Sequence, residues 1–247
     1  GTGVTVEDLQ YAIFEAEVDP ATGDYSIRDN GQKPISGVVD GFFKDILLKN
    51  TLSDIRLVRG KHYIALFFAQ ADAKDGHWNV NWDDQSIELK NVAALKAQDE
   101  TMDAFFKRVD FKVDPVASTQ SFDAVLTRPF AQVNVLTDDA VEAQLAGMDV
   151  YQTSITVEGV YTKMNLLDGE VENETSLTYG MAEKGNMFMK VNTTDYDLLS
   201  MNYLLVNEYK LVDITFKYNE DATVAGNDNT VFEAEFDAVP VQRNYRP

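Results

Sequence analysis

Cysteine is absent from this chain of 247 residues, which removes disulfides, thiolate nucleophiles and thiolate metal sites from consideration. A chain of this length can build a core without such cross-links. Histidine is nearly absent as well, with His62 and His77 the only two, so imidazole chemistry has little to draw on. No apolar run reaches the about 18 residues that a membrane-spanning helix needs. The nucleophile elbow, the phosphate-binding loop, the dinucleotide fingerprint and the zinc-protease pair have no counterpart in the sequence. Bases are scarce beside acids, 21 against 41, and the resulting net charge of -20 would repel a nucleic-acid backbone. The same charge favours solubility and a basic partner or bound cations. The chain opens on Gly1-Thr2-Gly3-Val4 without a methionine or a basic stretch, as a chain does once a precursor segment has been cut away.

What the chain has in quantity is alternation with a period of two. Ala12, Phe14, Ala16 and Val18 fall opposite Glu15 and Glu17, and Val109, Phe111 and Val113 opposite Asp110 and Lys112. Val212, Ile214, Phe216 and Tyr218 oppose Asp213, Thr215 and Lys217, while Phe232, Ala234, Phe236 and Ala238 oppose Glu233, Glu235 and Asp237. Such strands bury one face and wet the other, as in antiparallel sandwiches. Residues 63–69 are apolar throughout and read as a strand buried on both faces. Turn signals separate the runs at Asp29-Asn30-Gly31, Asp75-Gly76, Asp168-Gly169 and Ala225-Gly226-Asn227-Asp228. Helical signals are short. Residues 138–147 carry Val141 and Leu145 four apart, with Thr137 as N-cap and Gly147 as stop. Thr194 followed by Asp197 resembles a capping box, and residues 99–107 form a third candidate. The pattern predicts an all-β protein of two β-sandwich domains, 1–120 and 121–247. A small-residue linker with a proline, 114–121, lies between two strand-rich halves.

Residues able to carry chemistry are few, and the chain reads as non-enzymatic, with no catalytic residue, cofactor site or metal site assigned. The many carboxylates read as solvated strand faces, since a glycosidase pair requires a separation that sequence does not reveal. The segment His77-Trp78-Asn79-Val80-Asn81-Trp82 holds both tryptophans. One reading is an adhesive, sugar-stacking loop built on Trp78 and Trp82; the other is a hairpin whose rings cover the sandwich edge. Oxygen-rich stretches at Asp19 to Asp24 and at Asn227-Asp228-Asn229 do not match a calcium loop and read as side-chain-capped turns.

Several motifs in order resemble one known family. Residues 126–136, with Arg128-Pro129-Phe130-Ala131-Gln132, resemble the "RPFAQ" strand of the fimbrillin-like pilus subunits of Bacteroides-type bacteria. Residues 157–171 resemble the strand pair that follows it, residues 201–206 the "NYLLV" strand, and Val239-Pro240-Val241-Gln242-Arg243-Asn244-Tyr245-Arg246 the "VPVQRNYR" segment. Residues 63–70 are similar to that family's buried "FFAQ" strand. The resemblance implies two transthyretin-like Greek-key sandwiches and a secreted, lipoprotein-derived subunit of a cell-surface fimbria with a role in adhesion. It also implies trimming after an arginine and assembly with other fimbrial subunits by β-strand exchange. Attachment to the outer membrane would then come through the lipidated precursor or the fimbria itself. A lipobox cysteine and a first strand precede the counterpart of Gly1 in that family, and a further strand follows the counterpart of Arg246. A non-polymerising surface module that binds a host or bacterial glycan or protein is the alternative.

Two structural expectations follow. The first domain should lack a strand and show an unpaired edge or an exposed apolar groove. Phe14, Leu66, Phe68, Phe111, Val133, Val135, Ile155, Val157, Ile214, Phe216, Phe232 and Phe236 should line the cores.

Overall fold

The computed structural model describes residues 5–44, 49–147, 150–185, 187–221, 223 and 231–244. Strands account for 54% of the described residues and helix for 5%, and the strands form antiparallel sheets, as the alternation predicts for an all-β sandwich protein. The chain divides into two compact units. One comprises the chain up to Glu88 with Thr101–Pro129 and Asn165–Glu170; the other comprises Leu89–Glu100, Phe130–Met164 and the chain from Val171 onward.

The first unit contains β1 (Asp8–Val18), β2 (Tyr25–Ile27), β3 (Ile35–Val39), β4 (His62–Gln70), β5 (Trp78–Asn81), all but the last residue of β6 (Ser86–Leu89), and β7 (Ala104–Lys112). β4 is the centre of its sheet, paired along its whole length with β1 on one side and β7 on the other. The other edge of β1 is shared by β2 at Ala16 to Val18 and β3 at Leu9 to Ile13. The continuous apolar run in β4 has a direct cause: Ile64, Leu66 and Phe68 are buried on one face, and Tyr63, Ala65 and Ala69 on the other. Each large side chain so removed from water stabilises the fold by roughly 1.5–3 kcal/mol. Past β4 the chain reverses at Gly76, whose amide bonds the Asp72 carbonyl at 3.0 Å while the Asp72 carboxylate accepts the Lys74 and Asp75 amides. A side chain at position 76 would collide with that carbonyl, which explains the glycine.

The second unit contains β8 (Phe130–Thr137), α1 (Ala140–Leu145), β9 (Gln152–Asn165), β10 (Val171–Glu183), β11 (Phe188–Val191), β12 (Thr194–Leu205), β13 (Tyr209–Asn219) and β14 (Val231–Gln242). Its strands fall into two layers. One runs β11-β12-β8 and the other β10-β9-β13-β14, joined where Leu205 pairs with Tyr161. Hydrogen bonds tie the layers together in the interior: Thr153 Oγ1 donates to the Leu199 carbonyl at 2.8 Å, and Tyr179 Oη to the Tyr203 carbonyl at 2.6 Å. Burial pushes the Tyr179 phenol up, which keeps it protonated and a donor.

Several local readings give way to tertiary context. Thr194 and Asp197 begin β12 rather than a helix, because the turn at Asn192, in the left-handed region with φ 55°, closes a hairpin that sets Val191 against Thr194. Residues 99–107 shorten to a single 3-10 turn, Glu100–Met102, before β7 begins. The helix in 138–147 forms as α1 and ends before Gly147 at φ 86°, but Val141 and Leu145 project into solvent at 67% and 84% exposure. Of the expected core residues, Phe14, Leu66, Phe68, Phe111, Val133, Ile155, Val157, Ile214 and Phe216 are buried, and Val135 is half-buried. Phe232 and Phe236 are not in the core: they are 37% and 43% exposed, because β14 is the margin of its layer and the opposing layer ends at β8. The turn at 225–228 and its Asn227-Asp228-Asn229 stretch lie outside the described residues.

Candidate strand-accepting groove

Register fixes which side chains share the outer face of the first unit's sheet. Leu9, Ala69 and Phe105 form one row across β1, β4 and β7; Tyr11, Phe67 and Lys107 the next; then Ile13, Ala65 and Val109; then Glu15, Tyr63 and Phe111. In a complete sandwich a second sheet would cover such a face at about 10 Å. Here irregular chain lies over it instead. Ile55 and Leu57 close one end against Ile13, Tyr63, Ala65 and Phe111, and Phe42, Phe43 and Leu126 close the other against Val6, Leu9 and Ala69. Between the two ends remains a cavity of about 910 Å³, lined by Phe67, Phe105 and Val109 below and by residues 49–52 and 120–125 at the rim. Native cores hold few voids larger than a water molecule, and this opening is far larger than that. Phe67 packs against both closed ends yet stays only half-buried.

The rim keeps backbone groups available. β7 exchanges two hydrogen bonds with Thr127, at 2.9 and 3.0 Å through Phe106, and the Gln120 side chain reaches the Lys112 carbonyl. Among the described residues, the edge of β7 from Lys107 to Phe111 pairs with no second strand. The returning chain is held nearby by its side chains. Phe122 packs on Phe111 at 4.3 Å, and the Asp114 carboxylate accepts the Val116 and Ala117 amides, which lowers its pKa. At the Tyr63 end, Glu15 bonds Lys61 Nζ and Arg28 Nη1, each at 2.6 Å, and hydrogen bonds from these cations hold its carboxyl below the usual range. The lining itself is mostly carbon. What it offers a ligand is burial of apolar side chains and a row of main-chain donors and acceptors. Among the described residues, no three His, Asp or Glu side chains are placed to share a metal ion.

The tryptophan segment is not part of this groove. Trp78 is buried, donating its indole N–H to the Met102 carbonyl at 3.1 Å while its backbone exchanges bonds with the Gln70 amide. Trp82 is partly exposed. Asp19 accepts the Ala21 and Thr22 amides in a tight turn closed by Gly23 at φ 81°. The "RPFAQ" residues are structural: Arg128 grips the buried Asp103 with two bonds of 2.6 Å and lies over the Phe105 ring at 4.8 Å. Pro129, Phe130 and Gln132 are buried. Arg243 donates to the Val206 carbonyl at 3.0 and 3.2 Å, and the Asn244 amide to the Phe130 carbonyl at 2.8 Å. Tyr245 and Arg246 lie outside the described residues. The groove floor residues Phe67, Phe105 and Val109 were not singled out by their types; the unbroken apolar run of β4 was the one signal that its second face also needs cover.

Residues 45–247 match the sequence profile of a protein family described as a family of unknown function, DUF6562. The chain belongs to that family. No curated protein matches it in sequence. Among solved structures, the DUF6562 chain is similar to a candidate adhesin from Bacteroides ovatus, with 11% identity, a TM-score of 0.50, and 94% of this chain and 70% of that one covered. It is also similar to the fimbrial anchor protein Mfa2 from Porphyromonas gingivalis, with 13% identity, a TM-score of 0.46, and 93% and 74% covered. The first of these likenesses places the DUF6562 chain in the fold of the adhesin; at such identity it carries the fold alone.

Proposed function

We propose that the protein is a structural or accessory subunit of a cell-surface fimbria, with a role in adhesion, and that its first domain receives a β-strand from another subunit. The observation that carries this reading is the open apolar groove beside the unpaired stretch of β7. A strand laid there would bury alternate side chains over Phe67, Phe105 and Val109 while its backbone pairs with Lys107 to Phe111. The motif resemblance to fimbrillin-like subunits and the shared sandwich fold support it. On this reading the domains are 1–120 and 121–247, a strand preceding Gly1 is removed by proteolysis, and the protein reaches the outer surface as a processed lipoprotein. A glycan-stacking role built on Trp78 and Trp82 finds no support in the placement of Trp78, whose ring has no exposed face.

The test is hydrogen exchange of the purified protein with and without a synthetic octapeptide alternating valine and threonine. Binding should slow exchange of the Arg108 and Asp110 amides, which face the free edge, and Val109→Lys, which circular dichroism should show folded, should abolish that protection. A peptide that leaves these amides unchanged at millimolar concentration removes the reading.

A further inference from the structure

The groove of the first unit is bordered by a segment that keeps the register of a strand without being one. Phe106 and Thr127 exchange two antiparallel backbone bonds, at 2.9 and 3.0 Å. Counting away from that pair sets Phe105 against Arg128, Lys107 against Leu126, Val109 against Ala124 and Phe111 against Phe122, all on the groove face. The contacts at both ends obey this register. The Arg128 guanidinium lies 4.8 Å from the centre of the Phe105 ring, and the Phe122 and Phe111 ring centres are 4.3 Å apart. The segment also alternates as a strand does. Ala124 and Leu126 are half-buried, whereas Asp123, Val125 and Thr127 are exposed, and Leu126 packs on Val6, Leu9 and Ala69. Yet among the described residues the backbone bonds between this segment and β7 stop at Phe106 and Thr127. Past Phe122 it is the Gln120 side chain that takes the Lys112 carbonyl.

We infer that residues 122–127 are a strap poised to close the groove: docked in register at both ends, they zip onto β7 through Arg108–Val125 and Asp110–Asp123 and exclude any other strand from that edge. Only the excluded partner rests on the reading of the groove as a strand acceptor; the closure itself is a property of this chain. Charge holds the strap off. Closure sets Asp123 directly opposite Asp110, and like charges so placed destabilise a ladder. Arg108 does not relieve them. Its guanidinium is already divided between the Asp110 carboxylate, at 2.7 and 2.9 Å, and the Tyr25 and Leu167 carbonyls, at 2.8 and 3.0 Å. The rest of the register favours closure, with two rings meeting at one end, a cation over a ring at the other, and small Ala124 facing Val109 between them. Asp123 is therefore the latch. While it is charged and unmet the edge stays free for a partner, and once a cation replaces it the chain's own segment takes the place.

The experiment uses the full chain. Asp123 is exposed, so Asp123→Lys should keep the wild-type dichroism spectrum while slowing exchange of the Arg108 and Asp110 amides about tenfold with no peptide present. The chain holds no cysteine, so Val109→Cys with Ala124→Cys reports closure directly. Under mild oxidation this pair should bridge about tenfold faster than Val109→Cys with Val125→Cys, whose second side chain the register turns to the other face, and faster again when Asp123→Lys is added. The valine-threonine octapeptide should bind Asp123→Lys about tenfold more weakly than wild type. A peptide that binds neither protein removes the strand-acceptor reading and leaves the strap standing. Unchanged exchange in Asp123→Lys, a first cysteine pair that bridges no faster than the second, or slowed exchange with undiminished peptide binding overturns the strap.

Discussion

β4 and β14 are both strands rich in phenylalanine and alanine, and their fates are opposite. β4 ignores alternation and is buried at every residue but His62 and Phe67. β14 alternates strictly over 231–237 and is exposed nearly everywhere. The difference lies in what surrounds them. β4 has a strand on each side, one face fully packed and the other covered at both ends, whereas β14 has one neighbour and is covered only near Val241. Amphipathic pattern states which face wants burial; the number of neighbouring elements decides whether it is granted.

This contrast can be broken in steps. Phe68→Ala in β4 removes a fully buried ring, and a loss of about 3–5 kcal/mol in unfolding free energy is expected from urea titration followed by tryptophan fluorescence. Arg128→Ala strands the buried Asp103 carboxylate and should cost about 3 kcal/mol in the same titration, at the lower end of what uncompensated buried charges show. Phe236→Ala on β14 should cost under about 1 kcal/mol, since the ring is nearly half in water already. A cost equal to that of Phe68→Ala would mean that β14 is covered in solution. The smallest effect concerns Glu15. Its folded carboxyl is held below the ordinary 4.5 by Lys61 and Arg28, so as pH falls the unfolded chain takes up the proton first. Its contribution is complete above 4.5 and fades as pH drops through the lower folded value. The melting temperature of the wild type should therefore fall more steeply below that point than that of Glu15→Gln.

Much of the fold was legible because sheet burial writes itself at period two: β1, β7, β13 and β14 all begin within a few residues of where alternation begins. The misread helices share one cause. Thr194 with Asp197 satisfies a local capping rule, but the long-range ladder from β8 to β12 outweighs a bond or two at a helix start. Phe232 and Phe236 show the limit from the other side, because no property of β14's own residues reports that the opposing layer stops at β8. The candidate groove was foreseen as a consequence of resemblance, an unpaired edge or uncovered face in the first domain, but its floor was not. Phe67 looks like any core aromatic until one knows that the chain above it forms no strand.

At Ala238 the sequence of β14 changes phase. Two residues, Asp237 and Ala238, stand opposite Asp213 alone, and the Asp213 carboxylate accepts the Ala238 amide at 2.8 Å while Ala238 takes φ 53°. Even-numbered residues face inward before this point and odd-numbered ones after it, so Phe236 and Val239 share a side. The bulge acts on the strand as an inserted letter acts on a reading frame, and Asp213 is what keeps the insertion in one place. A strand lacking Ala238 would need no such anchor: Asp237 alone would face Asp213, and both ends would stay in phase with β13 in a regular ladder. One residue can thus come or go at the bulge, whereas a single insertion or deletion elsewhere in the strand would turn the hydrophobic residues of one end outward.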